Sequence, residues 1–259
     1  MIESAYELGL VGHKYGHSRP RDFRRNASAI SFNTLIINTK LLSHRQPGRR
    51  VENPKAGTLN YQAILEGSQG QSLDALITFL MEELPYWWRD AYLQMTPRTT
   101  NIVRFQYNAF EYLFDDYASL EVTGVVPYHP IVEARLVAAL GRSEPKASAR
   151  DDYRLKGWVG ATEKIFGQGW DKGHFIAHSI GGAVDGLEAN VFVQRRDLNR
   201  GWSAAGKRFR EMEKYCVLNP GTFCFSRPLY GDQTARPALV EFGLLKNNCE
   251  LWVECFDNR

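Results

Sequence analysis

Gly169-Trp-Asp-Lys-Gly-His-Phe-Ile-Ala-His-Ser-Ile-Gly-Gly182, followed by Asn190-Val-Phe-Val-Gln-Arg-Arg-Asp-Leu-Asn-Arg-Gly201, is the stretch that decides the fold. Asp171-Lys-Gly-His174 ends in a titratable imidazole at a turn, and the glycine beside it permits unusual backbone angles or the close approach of a ligand. After the Gly181-Gly182 loop, Asn190-Val-Phe-Val193 has the character of a short buried strand. Asp197 and Asn199 then offer oxygen ligands just ahead of a basic helix that begins near Arg200. Each residue alone says little, since a single histidine is usually structural and an asparagine before a helix is usually a cap. Their order is the informative part.

Charge around this stretch is uneven. Arg195, Arg196, Arg200, Lys207, Arg208 and Arg210 fall within sixteen positions that hold the single acid Asp197. Such a run is ordinarily a solvated helix face; beside His174 and Asn199 it suggests a phosphate-binding surface. The whole chain is only mildly basic, with a net charge of +3 over 259 residues. That length suits one large domain or two modest ones. A content of 44% hydrophobic and 12% aromatic residues excludes a disordered chain. No apolar run reaches the roughly 18 residues of a membrane-spanning helix, so no membrane partner is expected. Residues 1–17 lack a basic segment followed by an apolar one, which favours a cytoplasmic location, with export by a route that reads no signal peptide left open. Cys216, Cys224, Cys249 and Cys255 lack the short spacing of a zinc site, and reduced, packed thiols are expected, with a disulfide or structural metal as alternatives.

Gly141-Arg-Ser-Glu-Pro-Lys-Ala-Ser-Ala-Arg-Asp-Asp152 carries no large apolar residue and marks a linker or long surface loop. It divides the chain into an N-terminal domain, residues 1–145, and a C-terminal domain, residues 151–259. The first reads as a mixed α/β domain with its own core. Gln71 to Leu84 is an amphipathic helix with Leu73, Leu76, Ile77, Leu80, Met81 and Leu84 on one face, stopped by Pro85. Ile30 to Asn38 has strand character, and Tyr107 to Tyr117 is expected to be helical. A further helix is expected after Pro130, with Val132, Leu136 and Leu140 at i, i+4 and i+8. Basic pieces occur at Arg19 to Arg25 and Arg45 to Arg50. His13 and His17 sit four apart, but Gly12 and Gly16 argue against a helix that would make them ligands.

Asp171-Lys-Gly-His174, Gly181-Gly182, Asn190-Val-Phe-Val-Gln194 and Asp197-Leu-Asn-Arg-Gly201 together resemble the DNA/RNA non-specific endonucleases of the ββα-metal, or His-Me finger, superfamily. The likeness is greatest to its bacterial toxin-type branch. Four elements occur in the family's order, with Asn190 and Asn199 nine apart. Ser226-Arg-Pro-Leu-Tyr-Gly231 resembles a later family segment, so the likeness spans roughly residues 155 to 240. It implies an α+β fold whose C-terminal ββα-metal domain rests on an antiparallel sheet. It also implies His174 as general base, Asn199 as the single protein ligand of Mg2+ or Mn2+, and Asn190 as the residue that orders the site. Lys172 matches a phosphate-facing arginine, and Arg154 is the best candidate for an upstream phosphate contact. Arg195, Arg196, Arg200 and Arg208 are the expected nucleic-acid-binding residues, and His178 is assigned to the surface or to phosphate contact.

Phosphodiester hydrolysis needs a base for water, a cation against the developing charge, and donors that hold the phosphate in line. A histidine, an asparagine carbonyl oxygen and basic side chains suit those three tasks. Three departures stand out. Lys172 keeps the charge of the family's arginine but loses its bidentate geometry. Phe175 replaces a smaller or polar residue. Lys207 occupies the position eight after Asn199 where the family has a glutamate. Glu213 lies fourteen after Asn199, roughly 21 Å along an unbroken helix. It can serve only if the chain bulges between Gly201 and Gly206, and Glu211 is the fallback. The resemblance implies a toxin or defence effector that cuts DNA or RNA to leave 5′-phosphate and 3′-hydroxyl ends. Restraint through an inhibitor, an activating partner on the N-terminal domain or homo-oligomerisation is expected. The competing reading is a degenerate module that binds nucleic acid without cutting it.

Overall fold

A computed structural model of the chain describes residues 59–66, 68, 70–145, 162–183 and 188–259. Helices α1 (Tyr61–Glu66) and α2 (Leu73–Met95) lead into strands β1 (Ile102–Tyr107) and β2 (Phe110–Asp115), the short helix α3 (Tyr117–Val122) and β3 (Arg135–Arg142). After α4 (Thr162–Phe166) come β4 (Trp170–His174), β5 (Val191–Arg195), α5 (Arg196–Asn199), α6 (Ala204–Leu218), β6 (Phe223–Leu229), β7 (Leu239–Leu245) and β8 (Leu251–Asp257). The result is a mixed α+β fold. Six strands form one antiparallel sheet in the order β1-β2-β3-β6-β7-β8, while β4 and β5 form a separate antiparallel ribbon.

Alternation along the strands, switched once by the bulge at Val137 of β3 opposite Leu113 and Phe114, builds two apolar faces. Leu113, Val137, Leu140, Phe223, Phe225 and Leu245 face α2, which buries Leu76, Ile77, Leu80, Leu84, Trp88 and Tyr92 against them. Phe110, Tyr112, Leu136, Cys224, Val240, Phe242, Leu244 and Phe256 face the other way, toward Phe175, Ile176, Phe192, Leu198, Phe209 and Met212. The sheet is thus the middle of three layers, with α2 on one side and the ribbon with α5 and α6 on the other. Gly243 lies opposite Phe225 in the register. A Cβ there would meet the Phe225 ring at 2.3 Å, so the ring lies over the glycine backbone.

Several sequence expectations are corrected. Pro85 does not stop its helix; α2 continues to Met95 with Pro85 inside it and buried. An interior proline costs about 3 kcal/mol, and burial of Trp88, Ala91 and Tyr92 beyond it offsets that cost. Tyr107 to Tyr117 is no helix: β1 and β2 form a hairpin around Asn108, whose φ of 54 is a left-handed conformation that asparagine tolerates. The helix expected through Leu136 and Leu140 is strand β3, buried on both faces, so its apolar run has no polar alternation to distinguish it from a helix. Gly141 and Arg142 are its last two residues, not linker.

The division into two domains with separate cores also gives way among the described residues. β3, before the expected boundary, pairs with β6, after it, through Ala139↔Ser226 to Arg142↔Phe223. Both halves therefore contribute to one sheet. The strand expected at Ile30 to Asn38, His13 with His17, and the two N-terminal basic pieces lie outside the described residues.

Residues 151–259 produced alone would lack β3 and the α2 surface that covers Phe223 and Phe225. This fragment is expected to be insoluble or to show no cooperative thermal unfolding by near-ultraviolet circular dichroism. A cooperative transition like that of the full chain would overturn the one-sheet account.

Candidate functional site

β4 and β5 pair from Trp170↔Arg195 to His174↔Val191. Gly173 is required here because the Gln194 side chain lies across it; a Cβ would come within 2.1 Å of Gln194 Oε1. Phe175 follows His174 and stacks on Phe192 with ring centroids 4.2 Å apart, seating the ribbon on the core. Asn190 is wholly buried and ties the loop that follows His174. Its Oδ1 accepts from Ile176 N (2.9 Å), and its Nδ2 donates to Ile176 O (2.9 Å) and Ala183 O (2.7 Å). Gly182 permits this closure, since a Cβ would sit 2.0 Å from Ile176 O.

Backbone pairing continues past the ribbon, with Arg196 N donating to Gly169 O at 2.7 Å, and the chain turns directly into α5. Asp171 is the hub of that junction. Its carboxylate accepts from Arg196 Nε (3.0 Å), from Arg200 Nε (2.7 Å) and Nη2 (3.1 Å), and from Asn199 Nδ2 (3.2 Å). Burial alone would raise the pKa of this group, but the bonds from Arg200, Asn199 and Arg196 outweigh it and hold the carboxyl below its ordinary value. At Lys172, partial burial pulls the ammonium pKa down.

No unbroken helix joins Asn199 to Glu213. The chain breaks at Gly201, in the left-handed region with φ 71, and α6 restarts where Ser203 caps Gly206 N at 3.0 Å. α6 then folds back across α5. Gly206 lies so close that a Cβ would approach Asp197 O to 2.4 Å. Arg210 bridges the two helices, donating to Asn199 O (2.7 Å) and Glu213 Oε2 (3.3 Å). Glu213 is buried and stands one guanidinium away from Asn199, whereas Glu211 is exposed and paired with Arg208. The break is shorter than the bulge the sequence suggests, because Ala204, Ala205 and Gly206 already belong to α6.

His174 ends β4, and His178 opens the one-turn 3-10 helix His178–Ile180. Strand alternation sets Lys172 and His174 on one face of the ribbon and Asp171 with Gly173 on the other. Asn199 is tied to Asp171, three residues before His174 along β4. Arg154 lies outside the described residues. The four arginines expected to contact nucleic acid all have acidic partners. Arg195 pairs with Asp197, Arg196 and Arg200 with Asp171, and Arg208 with Glu211 and Glu254. Lys207 is exposed on α6 and stands outside these pairs. The run is a charge-compensated network rather than a bare cationic stripe.

Three positions that shape the candidate site are not readable from the sequence in that role. Asp171 was legible as a motif position but not as the acceptor of three side chains. Arg210 as a bridge depends on the break at Gly201. Asn258 braces the outer edge of β5, accepting from Arg195 N (2.8 Å) and donating to Val193 O (3.0 Å), and no local signal marks it.

Among the described residues no three His, Cys, Asp or Glu side chains gather into a metal site. The group that fits a cation is the Asn199 amide. With Nδ2 given to Asp171, its Oδ1 remains as a neutral, hard oxygen donor of the kind that suits a hydrated Mg2+ or Mn2+. All four cysteines are free, with Cys216 and Cys224 buried. A cavity of about 210 Å³ lined by Tyr92, Thr96, Arg135, Tyr230 and Gln233 belongs to the frame instead. There the Arg135 guanidinium is engaged by Tyr92 Oη, Asp232 O, Thr234 O and Thr96 Oγ1.

No family model matches the sequence, and no curated protein is close enough to count as a relative. Among solved structures the chain is similar to one described as Sda1 nuclease with bound zinc ion, at 14% identity and a TM-score of 0.33 over 61% of this chain and 74% of that one. It is also similar to an extracellular endonuclease, at 11% identity and a TM-score of 0.31 over 63% of this chain and 80% of the other. At TM-scores this low neither likeness decides what this chain does.

Asn190→Ala strips partners from Ile176 N, Ile176 O and Ala183 O and is expected to cost about 3 kcal/mol, measured by denaturant unfolding. A loss below 0.5 kcal/mol, on the order of a surface change, would remove Asn190 from its ordering role. Asp171→Asn tests the hub. Because the folded pKa of Asp171 is lowered, its stabilisation is complete above the ordinary carboxylate pKa and is lost as pH falls through the lowered value. The stability gap between wild type and Asp171→Asn should therefore narrow on acidification. A gap that widens toward acid would contradict the assignment.

Proposed function

We propose that this chain is a Mg2+- or Mn2+-dependent endonuclease of the ββα-metal type that hydrolyses DNA or RNA phosphodiesters. The observation that carries the reading is one continuous unit. β4 ends on His174, Asn190 clamps the loop, and β5 runs directly into α5, which ends on Asn199. His174 takes a proton from water; the hydroxide oxygen bonds to phosphorus in line as the bond to the 3′ oxygen breaks. The leaving oxygen is protonated from solvent, giving 5′-phosphate and 3′-hydroxyl ends. Lys172, two residues before His174 on the same face, holds a phosphate oxygen.

A divalent cation bound at Asn199 Oδ1 would supply positive charge to the phosphate and the departing oxygen. Asp171 orients that amide, and Glu213, reached through Arg210, is the nearby acid suited to ordering the ion's hydration. Among the described residues no helix is long and apolar enough to cross a membrane. The reading extends to a cytoplasmic toxin or defence effector. Cleavage without sequence preference harms the host, so it carries with it restraint by an inhibitor, an activating partner or homo-oligomerisation.

Lys207 in place of an acid favours one rival: a module that binds nucleic acid without cutting it. A plasmid-nicking assay separates the two. The wild type is expected to nick with Mg2+ and to stop when the metal is chelated. His174→Ala should lower the rate about 1,000-fold while leaving binding in a gel-shift assay largely intact, and Asn199→Ala should raise the Mg2+ concentration needed. Undiminished nicking by His174→Ala would refute its role, and binding without nicking by the wild type would establish the rival.

A further inference from the structure

Trp202 is 63% exposed, on a backbone that is firmly held. The left-handed Gly201 turns the chain outward, Trp202 N donates to Asp197 O at 2.8 Å, and Ser203 then caps α6. Single exposed apolar side chains are common on protein surfaces and need no explanation. Trp202 differs in its neighbours. The Arg200 guanidinium carbon lies 5.1 Å from its ring centroid, and Arg200 is itself fixed by both oxygens of Asp171, the carboxylate that also holds Asn199. An indole plane is therefore presented to solvent beside the proposed metal ligand, backed by an arginine and anchored on both sides along the chain.

Stacking on an aromatic ring, with a nearby guanidinium adding cation–π attraction, is how proteins hold unpaired bases irrespective of sequence. A base inside a duplex is covered on both faces by its neighbours and cannot offer a face to the indole. Compensation of the basic run by acids leaves less of the binding to bare phosphate attraction, so a stacking contact has more to contribute. We propose that Trp202 is a nucleobase-stacking residue that takes an unpaired base next to the scissile phosphate, so that the preferred substrate is single-stranded or locally unpaired nucleic acid. This rests on the nuclease reading above and names its substrate class. DNA and RNA share the base, and the test carries both.

Binding is measured by fluorescence anisotropy on the full chain carrying His174→Ala, with Mg2+, so that the probe stays intact. The probes are a 12-nucleotide single-stranded DNA, its RNA counterpart, the matching duplexes, and a single strand made abasic throughout. Adding Trp202→Ala is expected to weaken binding of both single strands roughly tenfold, the worth of one base–aromatic stack, and to leave duplex and abasic binding within a factor of two. Trp202→Phe should recover most of the loss. A preference confined to DNA or to RNA still supports the stack and assigns the sugar. Equal loss on single strand and duplex, or no loss on either, overturns it. So does a concentration-dependent dimer in sedimentation that Trp202→Ala dissolves, because the indole would then be an interface between copies. The binding readout keeps the two readings apart. Failure of the wild type to nick sinks the nuclease while the stack can still be measured, and loss of the single-strand difference sinks the stack alone.

Discussion

Two guanidinium groups and one amide converge on the Asp171 carboxylate, and the seating of α5, with Asn199 at its end, against the ribbon depends on that convergence. Arg196 and Arg200 lie four apart and close enough to share one acceptor, so without the carboxylate between them they would repel. With it, the turn from β5 into α5 is pinned to the neighbouring strand, and the Asn199 amide has one orientation rather than two. The carboxylate stays ionised because its donors outweigh the cost of partial burial. The same interaction thus fixes geometry and settles local charge.

What α5 and β4 fix together, the rest of the molecule supports from below. The six-stranded sheet supplies Phe242 and Phe256, on which Phe209 of α6 packs, while α2 closes the opposite face. α6 can cross α5 only at a residue without a side chain, and Gly206 is that residue. The crossing brings Glu213 within one arginine of Asn199, although fourteen positions separate them in sequence. A break at a single left-handed glycine does the work that a long insertion would otherwise need to do.

The ribbon was legible in the sequence because local constraints write it. Gly173 yields to Gln194, Gly182 yields to Ile176 O, and the buried Asn190 has its three partners within fourteen residues. The frame was not legible for the opposite reason. β3 is covered on both faces, so Leu136 and Leu140 satisfy a helical spacing as well as a strand, and its partner β6 lies more than eighty residues on. Pro85 ends a helix by local rules, but the sheet beneath α2 supplies burial that those rules do not count. Tyr107 to Tyr117 shows a helix-like density of aromatics, whereas the deciding residue was Asn108.

The charge balance of the basic run depends partly on distant acids and partly on acids just beyond it. Counting along the chain finds six cations and one acid between Arg195 and Arg210. Folding brings Asp171 to Arg196 and Arg200, Glu254 to Arg208, and Glu213 to Arg210. A guanidinium held by a carboxylate contributes little to long-range attraction, since its field is cancelled nearby. It is also pre-oriented, so the donors it still presents lose less entropy when a phosphate arrives. The compensated network therefore exchanges reach for aim. A surface of that kind favours contacts that need fixed geometry, such as a positioned amide oxygen or a flat indole, over a diffuse hold on the backbone of any passing duplex.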